Sequence, residues 1–109
     1  MTVRILTDST CDLPADIVAG LGITVLPLYI HVGNEHYADG VDLTREQFYQ
    51  NLRHFEHHPT TAVPSPAKFH ALYETLAEEG ATEILSIHIS ETLSGTVNVA
   101  RVTAAETLE

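Results

Sequence analysis

Short runs of β-branched and aliphatic residues alternate with apolar positions spaced three and four apart, and this limits the chain to a sheet covered by helices. Val3-Arg4-Ile5-Leu6-Thr7 reads as a buried strand ending in the polar turn Asp8-Ser9-Thr10-Cys11-Asp12. Pro14 fits the first turn of a helix, where its missing N–H is not needed. Ile17, Val18 and Leu21 give that helix an apolar face, and Gly20 and Gly22 stop it. Ile23 to Val32 reads as one strand, with Pro27 marking an edge or a bend. Gly33-Asn34 is a two-residue hairpin signal, and Glu35 to Ala38 returns as a short strand. Thr44 and Gln47 form a capping box. Phe48, Leu52 and Phe55 follow at helical spacing until His57-His58-Pro59. Thr60 to Ser65 reads as a loop. Ser65 and Pro66 suit the N-cap and first position of the next helix, whose buried face is Phe69, Leu72, Tyr73 and Leu76 and which Gly80 closes. Glu83 to Ile89 is a strand with Leu85, Ile87 and Ile89 on one side. A last helix starts near Ser94-Gly95 and runs to the end, where Leu108-Glu109 reads equally as helix or as a cloning scar.

The order is β-α-β-β-α-α-β-α. It predicts an α/β fold: a Rossmann-like, layered parallel sheet with a small β-hairpin. The 109 residues suit one domain. The last helix has no strand after it, so residues 1–109 read as the front part of a longer domain. Five basic residues against fifteen acidic ones give a net charge of −10. That disfavours nucleic acid, which requires a basic footprint, and an anionic membrane surface. No run approaches the roughly 20 apolar residues of a membrane span, and no signal peptide is visible. A single cysteine, Cys11, fits a reducing cytoplasm. No cofactor and no metal site is expected.

Two hydroxyl-rich turns run straight into helices: Thr61-Ala62-Val63-Pro64-Ser65-Pro66 and Ser90-Glu91-Thr92-Leu93-Ser94-Gly95-Thr96. A helix start offers unpaired N–H groups and a partial positive charge, and added hydroxyls suit a carboxylate or phosphate. Ligands of open α/β sheets bind past the carboxyl ends of the strands. The Asp8-Ser9-Thr10 and Ser94-Gly95-Thr96 clusters should therefore share one edge, with Gly95 letting a ligand approach the backbone. The Thr60-Thr61 loop is expected to reach the same crevice. Neither turn carries a nucleophile with its base.

Asp8 to Pro14, then Asp39-Gly40-Val41-Asp42-Leu43-Thr44, then Thr61 to Pro66, then Leu93-Ser94-Gly95-Thr96, resemble the successive motifs of the DegV family. The resemblance spans essentially all 109 residues and the family's N-terminal part. It implies a bacterial fatty-acid-binding protein, not itself an enzyme. In some members it is the binding subunit of a fatty acid kinase that presents the acyl carboxylate to a separate kinase subunit. It also implies a carboxylate held by Thr61 and Ser94, with Ser9, Gly95 and Thr96 as secondary candidates, and an apolar tunnel for the acyl chain. Ala62 stands where the family often has serine. Family chains are much longer, with a C-terminal lobe that closes the tunnel.

Other readings compete residue by residue. Ser94 and Ser65 could simply cap helices. Cys11 lacks an accompanying arginine signature for thiol catalysis. Asp8 lacks the second aspartate, at position 10, of aspartate-based phosphatases, so Asp8 and Asp12 read as turn residues. His54, His57 and His58 would share a helix face, but a frayed terminus fits them better than zinc. His88, opposite the Leu85 row, reads as a packed histidine. Two other functions stay open: an enzyme acting on a small phosphorylated or carboxylated metabolite, and a truncated, self-associating module with no ligand of its own. There is no P-loop for ATP phosphates.

Overall fold

The computed structural model describes residues 2–107, so the expectation for Leu108-Glu109 lies outside the described residues. Among the described residues, six strands and four α-helices form two small sheets and their covering helices. The first strand, β1 (Val3–Asp8), runs through the middle of a parallel sheet. It pairs on one side with β2 (Thr24–Leu26) and on the other with β6 (Glu83–Ile87). The register sets Thr7 opposite Val25 and Ile87, so the carboxyl ends of all three strands share an edge. Helix α1 (Ala15–Leu21) connects β1 to β2. Pro14 is its N-cap rather than its first residue, and its carbonyl accepts from the Ile17 and Val18 amides, each at 3.1 Å. Gly20 lies inside α1; Gly22 ends it, with a left-handed φ of 65° that suits glycine.

Expected as one strand, Ile23–Val32 is two strands in two sheets. After β2 the chain breaks at Pro27-Leu28, and β3 (Tyr29–Val32) enters an antiparallel sheet ordered β4-β3-β5. Proline cannot donate to a ladder, so the bend becomes a change of sheet. The expected hairpin is present: β4 (Glu35–Ala38) returns with Val32 opposite Glu35, and Gly33 has φ 62°. A Cβ at Gly33 would stand 2.6 Å from His57 Cδ2, so that turn tolerates no side chain without moving the ring.

Helix α2 (Arg45–Asn51) starts with both capping-box bonds in place: Gln47 N–H to Thr44 Oγ1 at 3.1 Å, and Thr44 N–H to Gln47 Oε1 at 2.9 Å. It ends earlier than its apolar spacing suggests. A 3-10 turn covers Leu52–His54 and Phe55 is extended, so His54, His57 and His58 do not share a helix face. The Thr60–Ser65 segment is a loop only in its second half. Its first residues form β5 (Thr60–Ala62), antiparallel to β3 with Thr61 opposite Ile30. The lone hairpin is thereby a three-stranded sheet, and a strand separates the two helices expected to be consecutive.

Ser65 caps α3 (Pro66–Glu78), accepting from the Lys68 amide at 3.3 Å, with Pro66 at the first position. Helix α4 (Thr96–Thr107) packs beside α3. Leu6, Leu26, Phe69, Tyr73, Leu76 and Ala100 form the buried core between one sheet face and these helices. On β6 that face carries Ile84 and Ser86, followed by His88. The Leu85 row points the other way, and Leu85 and Ile87 remain 52% and 51% exposed.

Candidate functional site

The sheet edge at the ends of β1 and β6 gathers two of the hydroxyl clusters. Asp8 ends β1 and is fully buried. Its Oδ1 accepts the Thr10 amide at 2.9 Å and the Thr10 hydroxyl, closing the turn that contains Ser9. Burial pushes the Asp8 carboxyl up, but hydrogen bonds from the Thr10 hydroxyl, the Thr10 amide and His88 outweigh it. The group therefore titrates below the usual 3.8.

Ser94, Gly95 and Thr96 form one compact turn at the start of α4. The Ser94 hydroxyl accepts the Thr96 amide at 3.2 Å and lies 2.9 Å from the Thr96 hydroxyl. Ser94 is half-buried and Thr96 fully buried. The Gly95 carbonyl accepts the Val99 amide at 3.1 Å, so Gly95 is the flanking residue that receives the first bond of the helix. The Ser94 hydroxyl also satisfies one free amide of that helix start, a capping role compatible with a ligand contact because its proton stays available when the Thr96 hydroxyl donates to it.

The second motif meets the third through its apolar member. A Cβ on Gly95 would lie 3.9 Å from Val63 Cγ1, two residues after Thr61. Thr61 itself is exposed on β5. It lines a cleft of about 330 Å³ with Ile30, Phe48, Leu52 and His58. Ser9 is placed differently from Ser94. It is buried, and its hydroxyl accepts the Leu28 amide at 3.0 Å, holding the crossing between the two sheets.

Two further clefts open beside the β1 turn. One, of about 740 Å³, is walled by Leu13, Pro14, Val18, Val25 and Pro27, with Asp12, Asp39 and Arg45 among its polar residues. The other, of about 500 Å³, is lined by Ile5, Leu13, Ile23, Ile87 and Ile89, with Thr10 and His88 as polar members. Cys11 borders both. Ser94 lines none of the three clefts. Apolar hollows with few polar groups suit the tail and head of an amphiphile.

Arg45 escaped the sequence reading. Its guanidinium donates to the Asp12 carboxylate and the Ser9 carbonyl, and lies 3.5 Å from Asp39. It thus ties the β1 turn to the turn after β4. A cation in the first turn of a helix opposes the helix dipole, and that misfit was the available signal. Burial alone would lower its pKa, but Asp12 and Asp39 more than offset this and raise it. The Asp8–His88 contact, 80 positions apart, left no signal in the sequence. Among the described residues no group of three or more His, Cys, Asp or Glu is arranged to hold a metal ion.

Residues 2–109 match the profile of the family described as "Uncharacterised protein, DegV family". The chain belongs to the DegV family. A DegV domain-containing protein of Deinococcus radiodurans is 45% identical over 106 residues, covering 97% of this chain and 37% of that protein. The DegV chain thus spans little more than a third of this curated relative. A DegV family protein from Thermus thermophilus, whose structure is described as one of fatty acid binding, superposes with a TM-score of 0.86 at 42% identity. The match covers 97% of this chain and 38% of that one. DegV from Bacillus subtilis, described as a fatty acid binding protein, gives 0.92 at 29% identity, covering 98% and 38%. Among the described residues of this DegV chain, no helix is long and apolar enough to cross a membrane.

Proposed function

We propose that the chain binds a long-chain fatty acid, with the Thr61 and Ser94 hydroxyls contacting the carboxylate and the acyl chain lying along an apolar cleft. The observation that carries this reading is the likeness, at 42% identity, to a DegV protein described by its fatty acid binding. The joining of the second and third hydroxyl turns through Val63 and Gly95 supports it. Gly95 and Thr96 supply backbone near the head group. Ser9 remains a secondary candidate through the proton its hydroxyl still has to donate. The chain performs no chemistry in this reading. If it serves a fatty acid kinase, phosphoryl transfer belongs to a separate catalytic subunit, and the complex works in the cytoplasm.

The energetics divide the labour. Each buried methylene contributes about 0.8 kcal/mol, so about 14 of them give roughly 11 kcal/mol. A hydrogen bond to a charged group adds only about 1.5–3 kcal/mol. The apolar wall sets affinity, while the hydroxyls orient the head group and keep its charge from being buried unpaired.

Native mass spectrometry of the purified chain, followed by organic extraction and lipid analysis, tests the proposal. A stoichiometric fatty acid in the parent and none in a folded Thr61→Ala/Ser94→Ala variant is the expected result. No lipid in the parent would overturn binding by these 109 residues alone. A second reading, self-association, draws on the exposed Leu85 and Ile87 row of the parallel sheet.

A further inference from the structure

A fully buried polar pair lies beneath the hydroxyl turns. The side chains of Asp8 and His88 are both fully shielded from solvent, with His88 Nδ1 2.8 Å from Asp8 Oδ2. His88 Nε2 lies 2.5 Å from Ser86 Oγ. Ser86 Oγ is 3.5 Å from the Tyr73 hydroxyl, which donates to the Ala100 carbonyl at 3.1 Å. Phe69 meets the imidazole edge to face, with ring centroids 5.4 Å apart.

Each member stands on a different part of the framework. Asp8 ends β1 and holds Thr10; His88 follows β6 and precedes the Ser90–Thr96 turn. Tyr73 is on α3, which starts four residues after Ala62, and Ala100 is on α4, which starts two residues after Ser94. The Asp8–His88–Ser86 bonds, with the Tyr73 hydroxyl in contact at 3.5 Å, therefore touch the elements that carry all three hydroxyl motifs. A well-packed apolar pair is generally at least as stable as a buried ionic one, so stability alone does not account for Asp8 and His88. A directional bond between two loops 80 positions apart does something an apolar pair cannot: it fixes their relative orientation.

We propose that Asp8 and His88 form a positioning pair that fixes the Ser90–Thr96 turn, and with it Ser94, against the Thr10 turn. In its ligand arm this rests on the fatty-acid reading above. Both side chains are shielded from solvent, so the pair acts on the ligand only through the turns it holds. An ionised Asp8 only accepts, so Nδ1 carries a ring proton, and in the Nδ1–H tautomer Nε2 accepts from Ser86. Asp8→Asn turns an amide toward the ring, which then moves its proton to Nε2 and donates to Ser86.

The test combines imidazole ¹⁵N spectra, amide hydrogen exchange and palmitate titration on the parent, Asp8→Asn, His88→Leu and His88→Asn. The Nδ1–H form in the parent, exchanged for Nε2–H in Asp8→Asn, is expected. His88→Leu keeps the volume and should speed exchange at Thr10, Ser94 and Thr96 about ten-fold, the effect of one lost buried hydrogen bond, with the middle of α3 unaffected. His88→Asn keeps a donor toward Asp8 and should restore most of that protection. Palmitate affinity should follow the same order. An Nε2–H ring in the parent, unchanged exchange in His88→Leu, or no rescue by His88→Asn would each overturn the pair's role. Should His88→Leu fail to fold, the spectra of the parent and Asp8→Asn and the exchange of His88→Asn still decide it. Absence of palmitate binding in the parent would overturn the fatty-acid reading alone, because spectra and exchange are read without ligand.

Discussion

A single carboxylate illustrates how local chemistry and distant contacts combine. Asp8 accepts from its neighbour Thr10 and from His88, and its pKa is depressed although burial alone would raise it. A depressed folded-state value means that the stability the group contributes is fully present above the ordinary value. That stability is lost as pH falls through the lower folded value. Stability of the parent to urea should therefore weaken as pH falls below the ordinary carboxylate range, and Asp8→Asn should make that slope shallower. Asp8→Ala, which leaves the buried His88 N–H without its acceptor, should cost about 2 kcal/mol near neutral pH. The residue's turn role was legible from the sequence, since an aspartate two positions before a threonine amide is a local motif. Its partner was not, because nothing local at either position encodes the pairing of Thr7 with Ile87.

At the level of the element, the helix starts were readable and the strands less so. Thr44 with Gln47, and Ser65 with Pro66, satisfy donors within four residues, so chemistry and sequence coincide. Thr44→Ala removes the acceptor of the Gln47 amide and should destabilise the chain by about 1 kcal/mol, seen as a lower thermal midpoint in circular dichroism. The expected Ile23–Val32 strand failed because a continuous apolar run does not reveal which sheet each half joins; Pro27 signalled only that something changes there. Thr60–Ala62 read as loop because three residues give no period, and their strand character comes wholly from pairing with β3. The histidine face failed for the opposite reason, since helical spacing continued past the point where α2 stops at Asn51. Within the candidate site, Ser94, Gly95 and Thr96 fall together because they are neighbours in sequence. Val63, two residues after Thr61, lies beside Gly95, and only the fold supplies that.

The whole molecule is asymmetric. Helices α3 and α4 cover one face of the parallel sheet, while Leu85 and Ile87 on the other stay about half exposed. Such a face favours association by burying apolar area, against the repulsion of a net charge of −10. Sedimentation equilibrium should show a mass that rises with protein concentration and more steeply in salt, and a Leu85→Lys/Ile87→Lys variant should stay monomeric. A concentration-independent mass for the parent would count against the self-association reading.

The central position of β1 also has a consequence for biosynthesis. Val3 finds its partner Glu83 only after 80 further residues have been made. The strand at the middle of the described sheet is made before both of its neighbours, and the later neighbour arrives long after it. Loop closure of that length slows the decisive pairing, and until then the nascent chain carries an open strand edge on an apolar segment. The interval before β6 is made, more than the time after it, is when this sequence is exposed to aggregation and to chaperones.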